Sequence, residues 1–240
     1  WQTGIINKLT NLRGWEGYPL QNILHNTFKV PVVIENDANL AAWGEYKYGA
    51  GQGCQEILYI TVSTGIGAGI IMGGQLQRGF TGNAGEVGHM ILKADGEQCN
   101  CGNLGCWETL SSGTAIALQA KKLLTQEHKS LITHLAGNEE INAEHVFEAY
   151  HLGDKMARNI VDEALEYLGI GVVNLVNIIN PQRVVVGGGV AKAGSIIFSA
   201  IRDKVEKFGY AQSAQTQIVP AKLGDKAGVI GAAALVLEKG

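Results

Sequence analysis

Gly85-Glu86-Val87-Gly88-His89, followed by Cys99-Asn100-Cys101-Gly102-Asn103-Leu104-Gly105-Cys106-Trp107-Glu108, is the stretch on which the reading of this chain turns. Cys99, Cys101 and Cys106 fall within eight positions, and His89 stands ten residues before the first of them. Zinc takes four nitrogen or sulfur ligands in a tetrahedron, with Zn–S near ~2.3 Å and Zn–N near ~2.0–2.1 Å. Gly102 and Gly105 let the backbone turn tightly enough for three thiolates to converge with His89. Four protein ligands leave no open position, so the metal would hold the loop rather than activate water. The alternative is three unconnected thiols, buried or redox-active. The fourth cysteine, Cys54, reads as a small buried hydrophobe.

The rest of the composition agrees with a folded domain in a reducing compartment. The 240 residues are 46% hydrophobic and 17% charged, enough apolar material for a core and too little charge for a disordered chain. A secreted disulfide scaffold would spread more cysteine pairs along a shorter chain. A net charge of −3 and a pI near 6.1 argue against a surface built mainly for nucleic acid. No apolar run approaches the roughly 18–20 residues of a membrane span. Thirty-three glycines are about twice the usual share of ~7%, which means many tight turns or close backbone approaches. Trp1 is not an initiator methionine and no charged-then-apolar leader follows it, so a further segment is expected upstream.

Upstream of the cysteine loop, Val30–Ile34 reads as a short strand ending at Glu35-Asn36-Asp37, and Ala38–Tyr48 as a helix capped by Asn36 or Asp37. Gly49–Gly53 is the candidate hinge. Ile57–Val62, Ile70–Met72 and Gln75–Arg78 read as a β-meander, with Ser63–Gly69 and Gly73-Gly74 as its turns. Phe80–Trp107 is a long irregular stretch, of the kind that is usually functional or stapled. Downstream, helices are expected over Ser112–Leu124, Ala143–Tyr150, Asp154–Ile179, Ser195–Phe208 and Gly228–Leu237, with strands at Arg183–Val186 and Gln217–Val219. Strands first, then alternating helices and strands, make an α/β protein with a mixed sheet.

Four further features carry candidate chemistry. Asp37 could act as a base and Asn36 could orient a hydroxyl, since ligands of α/β proteins gather at strand carboxyl ends; plain N-capping explains the same residues. Gly65-x-Gly67-x-Gly69, preceded by Thr61, Ser63 and Thr64, could form an anion nest or merely a hairpin. It lacks the Gly-Lys-Ser/Thr of a P-loop and the following helix of a dinucleotide fingerprint. Val184–Val186 followed by Gly187-Gly188-Gly189 suits close approach of a nucleotide, or simply a tight strand-to-helix turn. Glu86 and Glu108 flank the cysteine loop and are surface acids by default. His25, His128, His134, His145 and His151 read as surface residues.

In combination these motifs resemble the ROK family, which groups bacterial sugar kinases with sugar-responsive repressors, and within it a glucokinase-type hexose kinase. The resemblance runs from about Asn11 to Leu237 and is most specific at Gly85–His89 and Cys99–Glu108. Val32-Val-Ile-Glu-Asn-Asp-Ala-Asn39, Ser63–Gly69, Val184–Gly189 and Gly224–Ala233 also match. It implies the ribonuclease-H-like, actin-like ATPase fold of hexokinase and Hsp70, with two lobes closing over ATP. Residues 1–49 would then be what remains of the smaller lobe, 50–225 the larger lobe, and 226–240 a helix returning to the smaller one. It further implies Asp37 as the base, and Asn36, Glu86, His89 and Glu108 as sugar ligands. His89, Cys99, Cys101 and Cys106 would hold a structural Zn²⁺. Thr64, Gly65 and Gly67 would contact phosphate, and Gly187, Gly188 and Gly189 would lie at the nucleotide.

The resemblance thus implies a cytoplasmic homodimer that phosphorylates a hexose with ATP and Mg²⁺. Glucose is the first candidate, and N-acetylmannosamine, N-acetylglucosamine and fructose are the others. Family kinases open with an Asp-x-Gly-Gly-Thr turn that cradles phosphate and holds magnesium, and it is absent from these residues. A chain truly beginning at Trp1 is therefore expected not to phosphorylate anything. The competing reading is a sugar-responsive repressor whose DNA-binding helices lie upstream. Asp37 favours the kinase, because a repressor needs to bind sugar but not to transfer phosphate. A zinc-stapled sugar-binding protein without catalysis is a third possibility.

Overall fold

The computed structural model describes residues 3–6, 14–125 and 129–238. Five strands make one mixed sheet in the order β3-β2-β1-β4-β5. The central strand β1 (Ile57–Val62) pairs antiparallel with β2 (Ile66–Met72), which pairs antiparallel with β3 (Gln75–Gln77). On the other side β1 runs parallel to β4 (Arg183–Gly187), and β4 runs parallel to β5 (Gln217–Pro220). This is the ribonuclease-H-like arrangement expected from the resemblance. Gly73 and Gly74 both have positive φ, 56° and 70°, as a two-residue hairpin turn between twisted strands requires.

Alternation along β1 assigns its side chains to two cores. Leu58, Ile60 and Val62 point into the larger one, built with α4 (Gly113–Leu124), α6 (Ala143–His151), α7 (Lys155–Ile179) and α8 (Ser195–Phe208). Ile57 and Tyr59 face the smaller core, which is covered by α2 (Asp37–Tyr48) and α9 (Ala227–Leu237). Burial pushes the Tyr59 phenol up to about 12, so it stays neutral there.

The α2 and α9 backbones nearly touch, because a Cβ on Gly231 would lie 1.7 Å from the Leu40 carbonyl oxygen. Glu45, fully buried near the end of α2, accepts from the backbone N–H groups of Ala50, Lys222 and Leu223 at 2.6, 3.1 and 2.7 Å. These bonds tie the expected hinge segment and the loop before α9 to one carboxylate.

Most expected elements form within a residue or two of their boundaries. Three differences matter. Val30–Ile34 is irregular rather than a strand: no described segment pairs with it, Val30 and Val33 are exposed, and Pro31 has no N–H to donate. Strand β2 begins at Ile66, so Gly67 and Gly69 lie in the sheet rather than in the Ser63–Gly69 turn. Their bareness makes room for α2, since a Cβ on Gly69 would sit 2.4 Å from that of Ala42 and one on Gly67 3.3 Å from that of Ala38. Three short helices were not expected: α1 (Leu20–Phe28), α3 (Glu108–Ser111) and α5 (Leu131–Ala136). Trp1, Asn11 and His128 lie outside the described residues.

Candidate active site

The Glu35-Asn36-Asp37 turn is placed by the start of α2. Asn36 is the N-cap: its Oδ1 accepts from the N–H groups of Ala38 at 2.8 Å and Asn39 at 3.1 Å, satisfying two donors that a helix start leaves free. Asp37 occupies the first helical position, and its Oδ1 also accepts from Ala38 N–H at 2.8 Å. A carboxylate there is favoured by the helix dipole.

The second wall comes from the irregular 85–108 segment. Ala68 N–H on β2 donates to the Gly85 carbonyl, and a Cβ on Gly88 would meet the Ile66 oxygen at 2.1 Å, so the segment lies flush against the sheet edge. A short 3₁₀ turn at Val87–His89 then presents Glu86 and His89, with His89 Nε2 3.9 Å from Glu86 Oε2. The loop closes on itself through Trp107 N–H to Met90 O at 2.7 Å and Gly105 N–H to Glu97 O at 2.8 Å. Gly105 has φ 65°, and a Cβ on it would fall 1.6 Å from the Lys93 carbonyl oxygen, so no side chain fits there. Trp107, fully buried, anchors the loop against Gly171 of α7.

His89, Cys99, Cys101 and Cys106 come together as the spacing suggested, and all four donor atoms lie within 4.8 Å of one another. Cys99 Sγ is 3.6 Å from His89 Nδ1, and Cys101 Sγ is 3.6 Å from Cys106 Sγ. A tetrahedral site with ~2.3 Å arms has ligand–ligand edges of about 3.8 Å, so the cluster has the size a metal ion requires. Burial pushes the thiols of Cys99 and Cys106 above their ordinary range, whereas a backbone hydrogen bond from Asn103 lowers that of Cys101. Two buried cysteines and a half-buried one beside a histidine make a metal-centre donor set, in which a bound cation would let the thiols ionise. No cysteine of the chain is in a disulfide.

Glu108, at the start of α3, links this cluster to the cavity. Its Oε1 accepts from the Cys99 thiol at 3.1 Å and lies 3.6 Å from His89 Nδ1. Its Oε2 occupies the space beside Gly65, where a Cβ would be only 2.8 Å away.

Asn36, Asp37, Thr64, Gly65, Gly67, Glu86, His89 and Glu108 all line a single cleft of about 1270 Å³. That is above the ~300–1,000 Å³ usual for a small-ligand pocket. Gly187, Gly188 and Gly189 are not among the described residues that line it. They lie at the carboxyl end of β4, where Gly188 (φ 90°) packs on the Val62 carbonyl with 2.3 Å to a notional Cβ. The tight turn there has a packing reason of its own. Two contributions were not foreseen: Thr114 and Leu118 on α4 form part of the cleft wall, and Arg78 pairs with Glu35. The polar start Ser112-Gly-Thr114 is the one local hint of the former. The latter joins residues 43 apart, which no local pattern signals.

An actin-like ATPase fold with an acid-lined cleft beside a cysteine–histidine cluster defines the class. The model of the ROK family matches residues 2–239, and the chain belongs to that family. A glucokinase of Halalkalibacterium halodurans is 40% identical over 99% of this chain and 72% of its own length. A ROK family glucokinase from Streptomyces griseus, solved with glucose and AMPPNP, superposes with a TM-score of 0.86 at 36% identity, over 98% of this chain and 77% of that one. A xylose repressor of Caldicellulosiruptor bescii is 35% identical over 99% of this chain but only 59% of its own length.

Proposed function

We propose that this protein transfers a phosphoryl group from ATP to a hexose, with glucose at its 6-hydroxyl as the first candidate and Asp37 as the base. The enzyme class, an ATP-dependent sugar kinase, follows from the family and its glucokinase relatives. The observation that carries the site assignment is the convergence of Asp37, Glu86, His89 and Glu108 on one cleft. N-acetylmannosamine, N-acetylglucosamine and fructose are the other candidates, distinguished by the groups around the sugar's first two carbons.

Asp37 Oδ1 is held by the Ala38 N–H, which leaves Oδ2 to take the proton of the attacking hydroxyl. Asn36 uses its oxygen as the helix cap, so its amide N–H groups remain to donate to a sugar oxygen. Glu86 and Glu108 accept from sugar hydroxyls, each charge-assisted bond contributing about 1.5–3 kcal/mol. A metal on Nδ1, the nitrogen on the cysteine side, would leave His89 Nε2 directed toward Glu86 and the cleft. Phosphoryl transfer depends mainly on positioning and charge neutralisation, so the placement of the base counts for more than its strength.

Cys99, Cys101, Cys106 and His89 would hold Zn²⁺, whose charge permits three thiolates to share one pocket. Thr64, Gly65 and Gly67, which line the cleft, would contact the phosphates of ATP, Gly187–Gly189 beyond the cleft wall would lie toward its nucleoside, and Mg²⁺ would neutralise phosphate charge. The lobes would divide at residues 49 and 225, with α2 and α9 docked on the sheet of the larger lobe, and the protein would act as a cytoplasmic homodimer. Among the described residues no helix is long and apolar enough to cross a membrane.

The test is a coupled ADP-release assay with ATP, Mg²⁺ and each of the four sugars. Turnover with one sugar is expected, and Asp37→Asn should lower kcat by roughly 10²–10⁴ while leaving sugar affinity in place. Near-normal kcat in that variant would remove Asp37 as the base. The xylose-repressor relative supports a second reading, in which sugar binding regulates an upstream DNA-binding domain. Saturable sugar binding without turnover would favour it.

A further inference from the structure

We propose that the Glu35–Arg78 ion pair is a positioning device that holds the two halves of the sugar pocket together, an inference that rests on the sugar-kinase reading above. Glu35 opens the turn that carries Asn36 and Asp37, yet no role in sugar or phosphate chemistry falls to it. Its side chain is 3% exposed. The carboxylate is fully engaged: Oε2 accepts from Arg78 Nε at 2.6 Å, and Oε1 accepts from the Asn36 N–H at 3.1 Å and the Asn39 side-chain amide at 3.0 Å. It therefore grips the turn on both sides of Asp37.

Arg78 belongs to the other half. It follows β3 directly, its side chain is 17% exposed, and its carbonyl accepts from the Ala84 N–H at 3.0 Å. That bond closes the 78–84 loop, which delivers the chain to Glu86 and His89. The loop itself is weakly held: Phe80 at its tip is 99% exposed, and Gly79, Gly82 and Gly85 all have positive φ. Backbone contacts to β2 fix its far end at Gly85 and Gly88. The arginine fixes its near end, and fixes it to the turn bearing the base. Asn36 and Asp37 approach a sugar from one side and Glu86 and His89 from the other, so the pair sets the span between them.

A shielded ion pair is a sensitive device, because removing one partner leaves the other charge uncompensated. The two residues should therefore act as a unit rather than independently. The test compares Arg78→Met, Glu35→Gln and the double variant in the full-length protein, by calorimetric titration with glucose and by steady-state kinetics. Each single substitution is expected to weaken glucose binding by about tenfold, with the double variant no worse than the poorer single. KM for ATP and metal content should stay at the parent's values, which a general loss of structure would not allow. Singles within twofold of the parent, or losses that multiply in the double variant, would overturn the proposal.

Where a variant fails to fold, Arg78→Lys keeps the charge but loses the planar donor, and should fall between parent and methionine variant. A lysine variant that matches the parent would also count against the device. Hydrogen exchange at the Ala84 and Glu86 amides needs no ligand and should quicken in Arg78→Met relative to Ile60 in the core. Unchanged exchange there would overturn the proposal by itself. A parent protein that binds none of the sugars contradicts the sugar reading instead, and the exchange measurement then decides the role of the pair.

Discussion

Two segments face each other across the cleft, and they are held in opposite ways. The 35–39 turn is short, begins a twelve-residue helix, and pairs its polar groups among themselves apart from the buried Asn39 Oδ1: Asn36 caps α2, and Glu35 gathers Asn36, Asn39 and Arg78. The 89–108 loop is long and has little regular structure. It relies on scattered backbone bonds, the buried Trp107 and a four-residue donor cluster that could hold a metal. A turn at a helix end inherits its order from the helix. A loop of that length has no such source, and a metal held by residues from both its ends would supply it.

The sharpest way to break this contrast is to empty the cluster. Cys101→Ser, or prolonged chelation, should release the metal and open the loop, with metal-binding free energy of order 10 kcal/mol at stake in sites of this kind. Sugar KM should rise, because His89 and Glu108 lose their anchor. Elemental analysis checks it, and an unchanged metal content would refute the ligand set.

A smaller effect is expected from the helix that carries the turn. Gly69→Val places side-chain atoms where Ala42 already stands and should lift α2 from β2, costing about 1–3 kcal/mol or somewhat more. Thermal unfolding should show a lower Tm with full metal content, and a Tm equal to the parent's would mean the packing is looser than described. Asn36→Ala removes the cap together with the amide proposed to donate to the sugar. It should cost ~1 kcal/mol, a Tm decrease of about 2–4 °C for a domain of this size, and leave the cysteine cluster untouched. Metal loss in that variant would show that the two segments are not held independently. Smallest of all, Glu97→Gln removes an ion pair with Lys122 that both partners make in solvent, and no measurable change in Tm is expected.

The cysteine loop was the more legible of the two segments. Its ligands lie close in sequence, and a metal's demand for thiols and imidazole leaves few other residue types, so His89, Cys99, Cys101 and Cys106 could be named from spacing. The strands were legible as well, since the apolar, β-branched-rich runs at Ile57–Val62 and Arg183–Val186 each lead into turn residues, Ser63-Thr64-Gly65 and Gly187-Gly188-Gly189. Less was legible where glycine has several possible uses. Gly67 and Gly69 read as part of one turn, but both lie in β2 beside α2, and only Gly67 also lines the cleft. Gly187–Gly189 read as part of the ligand site, yet Gly188 packs against the end of β1. Val30–Ile34 has the composition of a strand but no described partner, and strand formation depends on a partner as much as on propensity.

By itself the sequence determined the four residues of the cysteine–histidine cluster, the meander, the order of helices and strands and the residues that cap α2. Each of these depends on chemistry or hydrogen bonding between residues near in the chain. Only the tertiary structure decided that Asp37 and Glu108 share a cleft, that Glu45 joins α2 to the segment before α9, and that Arg78 reaches Glu35. These contacts join residues 43 to 178 positions apart where the chain gives a separation, and they arise when β1 and β4 bring remote segments to one sheet. Local patterns carry no record of which remote group will satisfy a buried charge, because that is settled by how the layers pack.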